Sequence, residues 1–261
     1  YMAQIAMRMG GYYNYRPNQT VPINATSTIQ KMRQYYRQFG LGSPTGIDLP
    51  GESTGQQGPI TNPGQAMFLS FGNFDTYTIM QLAQYASTLA NGGIRFAPRL
   101  VSEIRETDSN TGEVGALVEE IQPKILNTIN VNQTAMERVQ QGMYQVVNGN
   151  YGSAPGIFGS APYVAAGKTG TAEAQYWGEN ESQRGTEVTN ISFIGFAPYD
   201  DPEIAIAVVI PYLPNQNAGG DHLAMSRRIL DAYFNVGEYA NETPTTDEIP
   251  ENATTRNEDE E

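Results

Sequence analysis

The run Ala165-Ala166-Gly167-Lys168-Thr169-Gly170-Thr171-Ala172-Glu173 constrains the fold more than any other part of this sequence. Val164, Ala165 and Ala166 lead into it as small or β-branched residues, and Thr169 and Thr171 suit a pleated surface, so the run reads as a strand. The two-residue period of a strand puts both threonines on one face. A glycine between them has no packing use in a strand unless another backbone or a ligand comes close, and Lys168 adds a positive charge at the same place. Such a strand describes an edge beside a cleft. It could take a peptide as an additional strand, with Lys168 and the two hydroxyls meeting the peptide's terminal carboxylate. The plainer alternative is an ordinary edge whose lysine discourages aggregation. Lys31, Lys124 and Lys168 are the only lysines, and Lys168 lies in a glycine-flanked run of small residues, which favours the binding reading.

Composition narrows the rest. With 261 residues and no cysteine, the chain has material for one or two domains with a sizeable core, held by packing without disulfides. A net charge of −13 and no basic stripe argue against a nucleic-acid partner. Much of the excess negative charge lies after Gly237, in a stretch rich in Thr, Asn, Glu and Pro and low in aliphatic residues. The expected organisation is therefore a domain over 1–236 and a disordered acidic tail over 237–261. The longest aliphatic run, 204–210, is far too short to cross a bilayer, so any membrane anchor is expected outside this sequence.

Apolar periodicity and stop signals predict a helix over 1–9 ended by Gly10-Gly11, and a second from Asn24 or Thr26 to Phe39. Residues 42–52 read as turn, short extended piece and turn, followed by a Gly- and Pro-rich loop. The strongest helix spans 78–90, with Ile79, Leu82, Ala83, Ala86 and Leu89 as its core stripe and Gln81 and Gln84 assigned to a solvated face or to loop contacts. Residues 96–105 read as a strand turned back by 108–112 into a hairpin, and Asn130 or Asn132 caps a helix to Val147. Strands over 190–197 and 204–212 follow the lysine strand as an antiparallel meander, and a helix over 224–234 closes the fold, with Ile229, Leu230 and Phe234 on the sheet. The whole is a mixed α/β layered architecture.

Gly167-Lys168-Thr169-Gly170-Thr171-Ala172-Glu173 resembles the third signature of penicillin-binding proteins and serine β-lactamases. Three further stretches resemble the transpeptidase domain of class B penicillin-binding proteins: Thr45-Gly46-Ile47-Asp48-Leu49-Pro50, Gln81-Leu82-Ala83-Gln84-Tyr85 through Asn91-Gly92-Gly93, and Phe193-Ile194-Gly195-Phe196-Ala197-Pro198. All four are collinear over nearly all of 1–236. Phe71-Gly72-Asn73-Phe74-Asp75 resembles Gram-positive members linked to lateral wall growth and cell shape. The implied fold is the α/β (α+β) β-lactamase/transpeptidase-like fold, present in part.

That family also uses a Ser-x-x-Lys motif, carrying the nucleophile, and a Ser-x-Asn motif across the cleft. Neither pattern occurs here: Ser27 is followed three positions on by Gln30, and Ser102 by Arg105. Family order puts both motifs earlier, so the chain is expected to be the C-terminal part of a transpeptidase domain, inactive alone. The resemblance further implies two missing strands beside 204–212, and from that unpaired edge an isolated chain that is poorly soluble or partly molten.

What the resemblance implies chemically is acyl transfer onto serine from the D-Ala-D-Ala terminus of a peptidoglycan stem peptide, then onto an amine, with β-lactams as mimics of the dipeptide. Lys168 and Thr171 take the catalytic roles and Lys168, Thr169, Gly170 and Thr171 bind the substrate. Lys168 holds its carboxylate, the Thr169 and Thr171 hydroxyls bond it, the Thr171 N–H forms half of an oxyanion hole, and Gly170 permits close approach. Trp177, with Tyr176, rims the cleft as a further substrate contact or as a simple anchor. The implied partners are the rest of the same protein and a wall-elongation complex, and the implied place is the outer face of the bacterial cytoplasmic membrane. No cofactor or metal is implied, and a sole histidine, His222, cannot build a histidine triad or zinc cluster. Asp75, Glu173 and Asp221 read as caps or surface charges. A D,D-carboxypeptidase or β-lactamase-like hydrolase and a non-catalytic penicillin-binding scaffold remain as alternatives.

Overall fold

The computed structural model describes residues 1–108, 111–214 and 219–240; the acidic stretch 241–261, where the tail expectation mostly falls, lies outside them. Helix α1 (Met2–Met9) buries Ala6 and Met7 and ends at Gly10. Helix α2 (Ala25–Gln38) starts where Asn24 accepts a hydrogen bond from the Ser27 N–H at 3.0 Å, an N-cap of the kind its sequence signals. A short helix α3 (Gly64–Leu69), which periodicity does not reveal, completes an apolar cluster of Ala6, Ile23, Ile29, Met32, Ala66 and Leu69.

Helix α4 (Ile79–Ala90) opens with a reciprocal capping box between Thr78 and Gln81. Its buried side keeps Ala86 and Leu89 of the expected stripe but adds two glutamines and loses Ile79. Gln81 is 0% and Gln84 4% exposed, whereas Ile79 is 54% exposed. The two amides face inward because the irregular segment beside them has backbone carbonyls that need donors: Gln81 donates to Ser43 O at 2.8 Å, and Gln84 to Thr45 O and Phe96 O at 2.9 and 2.7 Å.

The strand expected over 96–105 is two strands. Strand β1 (Ile94–Phe96) stops before Pro98, which has no N–H to give a ladder, and the Leu100 and Val101 N–H groups go to the Asp48 carboxylate. Strand β2 (Glu103–Thr107) then pairs antiparallel with β3 (Val114–Glu120) as the expected hairpin, and β4 (Ile125–Thr128) pairs with β1. Helix α5 (Gln133–Asn148) is capped by Asn132 and followed by the one-turn helix α6 (Pro155–Phe158).

The site-bearing sheet comes last. Strands β5 (Ala166–Gln175), β6 (Glu187–Ala197) and β7 (Ile204–Pro214) form an antiparallel meander in the order β5-β6-β7, and helix α7 (Asp221–Tyr233) follows. Alternation along β6 gives the sheet two apolar faces. Phe196 and Ala166 meet Leu89 and Ala90 of α4 and Met136 and Met143 of α5. Phe193, Ala197 and Ile206 meet Phe158 of α6 and Leu223 and Leu230 of α7. Ile229, expected on the sheet, is exposed, and Leu230 takes the buried position. Among the described residues β5 and β7 each have one strand partner, so both present an open edge.

Candidate active site

Strand β5 pairs with β6 without a bulge from Ala166↔Phe196 to Gln175↔Glu187. On the face toward α6 and α7, the Phe193 ring is fully buried and stacked on Phe158 at 5.5 Å. A Cβ on Gly167 or Gly195 would collide with that ring, so the two facing glycines exist to admit it. The result is a rigid floor under the strand at the point where Lys168 begins the site.

Lys168 is exposed, and its ammonium donates to the Thr169 carbonyl at 2.5 Å. Thr169 and Thr171 share a face, the second of them exposed. The Thr169 hydroxyl lies 2.9 Å from the hydroxyl of Ser153, on the loop after α5. At Gly170 a Cβ would meet Ser192 Oγ, the tip of a side chain that can turn away, and no backbone atom closer than 4.0 Å, so the neighbouring strand alone does not demand glycine there. An ammonium and two hydroxyls along an open strand edge can recognise an extended peptide ending in a carboxylate, the edge supplying main-chain hydrogen bonds and the side chains the terminal group.

A scan against protein-family models matches residues 1–231 to the penicillin binding protein transpeptidase domain. The chain belongs to the penicillin-binding protein transpeptidase family. It is 40% identical over 249 residues to penicillin-binding protein 2A of Bacillus subtilis, covering 93% of this chain and 34% of that protein. It is 28% identical over 230 residues to peptidoglycan D,D-transpeptidase MrdA of Haemophilus influenzae, covering 79% and 33%. Among solved structures, penicillin-binding protein 2B of Streptococcus pneumoniae superposes with a TM-score of 0.79 at 36% identity, over 89% of this chain and 37% of that one. The chain spans about a third of the length of the curated relatives it matches. The mixed α/β architecture with antiparallel sheets flanked by helices is that of the transpeptidase fold.

Within this transpeptidase domain the sequence-selected residues separate into two groups. Lys168, Thr169, Gly170 and Thr171 are contiguous on β5. Trp177 is not among them: it is 66% exposed in the loop beyond Gln175, roughly 20 Å further along the strand direction than Lys168. That loop is closed by Tyr176 N–H to Thr186 O at 3.0 Å and by the Tyr176 and Tyr212 rings, 5.1 Å apart.

One side-chain assignment changes, and two others gain a structural setting. Asp75 is neither a cap nor a surface charge; it is buried and takes a bidentate pair from Arg33 at 2.6 and 2.8 Å plus the Gly58 N–H at 2.9 Å. Thr45 through Glu52, read as a family stretch, is a structural knot: the Glu52 carboxylate accepts the Thr45 and Gly46 N–H groups and Asp48 those of Leu100 and Val101. His222 sits in the first turn of α7, largely buried, with Nδ1 unbonded, and burial pushes its pKa below the ordinary value. Ser153 and Asn148 were missed. Asn148 donates to Ala165 O at 2.8 Å and so ties the end of α5 to the start of β5. Their signal was the Asn148-Gly149-Asn150-Tyr151-Gly152 run, which reads only as a helix stop.

Proposed function

We propose that this chain supplies the carboxylate-recognising strand of a peptidoglycan D,D-transpeptidase of the class that serves lateral wall growth and cell shape. The observation that carries the reading is Lys168, Thr169 and Thr171 in succession on the open edge of β5, a strand whose pairing with β6 packs on the buried Phe193. A stem peptide ending in D-Ala-D-Ala lies along that edge, its carboxylate held by the Lys168 charge and the two hydroxyls.

A serine supplied by residues outside the present sequence attacks the carbonyl carbon of the D-Ala-D-Ala amide. The C–N bond breaks, D-alanine leaves with the transferred proton, and an ester on the serine remains. The Thr171 N–H donates to the carbonyl oxygen as charge develops there. An amine of a neighbouring strand then attacks the ester, forming the cross-link and restoring the serine hydroxyl. β-Lactams, whose carboxylate takes the same place, acylate the serine and stay. The work is done at the outer face of the bacterial cytoplasmic membrane, within a wall-elongation complex, with the anchor outside this sequence. No helix among the described residues is long and apolar enough to cross a membrane.

The test is fluorescent-penicillin labelling of the full-length protein with Lys168→Ala and Thr171→Val beside it. Covalent labelling that both changes weaken supports the reading. A well-folded full-length protein that does not label supports the non-catalytic scaffold instead, and the role given to Lys168 is withdrawn. Release of D-alanine from a pentapeptide without any cross-linked product points to the D,D-carboxypeptidase alternative.

A further inference from the structure

Thr169 has one hydroxyl proton and a carboxylate can only accept, so the hydroxyl serves a carboxylate only when that proton is turned toward it. A second hydroxyl that donates to Thr169 Oγ1 would favour that orientation by occupying a lone pair. Ser153 Oγ lies 2.9 Å from Thr169 Oγ1, a distance at which either hydroxyl can donate to the other.

The loop that carries Ser153 is fixed on both sides. Gly149 N–H donates to Gln145 O at 2.9 Å, Gly152 N–H to Gly149 O at 2.9 Å, and Ala154 N–H to Val146 O at 3.1 Å. Ala154 itself is buried in the cluster of Phe158 and Phe193, the same cluster that forms the floor of β5. A Cβ on Gly152 would collide with the carbonyls of Val146 and Gln145, so the tight return that delivers Ser153 needs glycine there. Asn148 joins the end of this helix to the first residues of the site strand. Ser153 is therefore held against Thr169 by its backbone, although its side chain is exposed.

We infer that Ser153 is a positioning residue for substrate recognition: it donates its hydroxyl proton to Thr169 Oγ1, so that Thr169 in turn donates to the terminal carboxylate of the stem peptide. This rests on the reading given under Proposed function and goes beyond it by naming what orients the threonine. Two hydroxyls in series polarise each other toward the anion, which makes the second donor worth more than an isolated one. Because the carboxylate is bound in both ground and transition states, the contribution falls on binding and not on the chemical step.

The test compares Ser153→Ala and Ser153→Thr in the full-length protein, on a stem pentapeptide with a free terminal carboxylate and on the same peptide ending in a primary amide. A terminal amide brings its own N–H donors and does not require Thr169 to point its proton outward. Ser153→Ala is expected to raise KM for the carboxylate substrate about 3- to 10-fold with kcat nearly unchanged, and to leave KM for the amide substrate within about 2-fold. Ser153→Thr, which keeps the hydroxyl, is expected to restore the wild-type KM. An unchanged KM in Ser153→Ala overturns the inference. So does an equal loss on both substrates, which marks a loop effect, or a failure of threonine to rescue. Penicillin labelling of the wild type runs alongside: labelling with a silent Ser153→Ala removes this inference alone, whereas a wild type that neither labels nor turns over removes the transpeptidase reading and this inference with it.

Discussion

Two regions of the molecule are stabilised by different physics. From α5 onward the chain is mostly regular, its backbone groups go largely into ladders and helices apart from the open edges of β5 and β7, and the sheet is covered on both faces by apolar side chains of α4, α5, α6 and α7. Between α2 and β1 the chain is mostly irregular, and there polar side chains do what ladders do elsewhere. Arg33 and Asp75 clasp Gly58, Gln81 and Gln84 collect the carbonyls of Ser43, Thr45 and Phe96, and Glu52 and Asp48 collect N–H groups. An irregular segment can be buried only if each backbone group finds a partner, so the polar region is the cost of bringing loops into contact with a core.

The largest effect should come from the apolar region. Phe193→Ala removes a fully buried ring packed against Gly167 and Gly195, which have no side chains to fill the gap, and should cost about 3–5 kcal/mol in urea unfolding of the full-length protein. It should also lower penicillin labelling, because the floor of the Lys168 strand goes with it. In the polar region, Asp75→Ala leaves a buried guanidinium unpaired and should cost about 3–4 kcal/mol. The double change Arg33→Met with Asp75→Leu removes both charges and should recover most of that loss. A double variant as unstable as Asp75→Ala would show that the Gly58 contacts, and not the ion pair, hold this region.

How much of this was legible in the sequence follows the same division. The lysine strand, its antiparallel meander, the Asn24 and Asn132 caps, the stop of α4 and the β2–β3 pairing all follow from periodicity, small cap residues and glycine stops. Those signals are local. The burial of Gln81 and Gln84, the Arg33–Asp75 pair and the Ser153–Thr169 contact join residues far apart in sequence or across a loop, and no pattern within one element encodes them. The split of 96–105 was partly legible, since Pro98 stands in its middle. For the candidate site, residues 168–171 were expected on one strand and lie together on β5, whereas the Ser153 hydroxyl beside Thr169 comes from a loop that the strand pattern does not reach.

The α4 helix turns this into a smaller and sharper comparison. An apolar-stripe reading ranks Ile79 as core and Gln84 as periphery, and the structure ranks them the other way. Gln84→Leu, similar in size, leaves the Thr45 and Phe96 carbonyls without their donor and should cost about 2–3 kcal/mol. Ile79→Ala should change stability by no more than about 0.5 kcal/mol. Equal effects in thermal unfolding would restore the stripe reading and undo the distinction drawn between the two regions.

The smallest expected effect separates the regions by pH. In the sheet region burial holds the His222 pKa below its ordinary 6.5, partly offset by the Gly219 backbone and the nearby Asp221 charge. The unfolded chain therefore takes up a proton before the folded one does, so this contribution to stability is present above pH 6.5 and is lost as pH falls toward the depressed folded value. In the polar region, desolvation works against the Glu52 carboxylate, but hydrogen bonds from Thr45 and Gly46 and the Arg95 charge outweigh it and leave its pKa below 4.5. Hydrogen bonds from Val101 and Leu100 likewise hold Asp48 below 3.8. Their contributions are present above those values and lost as pH falls through the folded ones. Unfolding measured from pH 8 to 3 should show a shallow loss below pH 6.5 that His222→Phe removes, and a separate one below pH 4.5 that Glu52→Gln reduces while His222→Phe leaves it untouched. A single acid transition insensitive to His222→Phe would mean that Nδ1 finds water or a partner in solution, and that the sheet region carries no pH-sensitive group of its own.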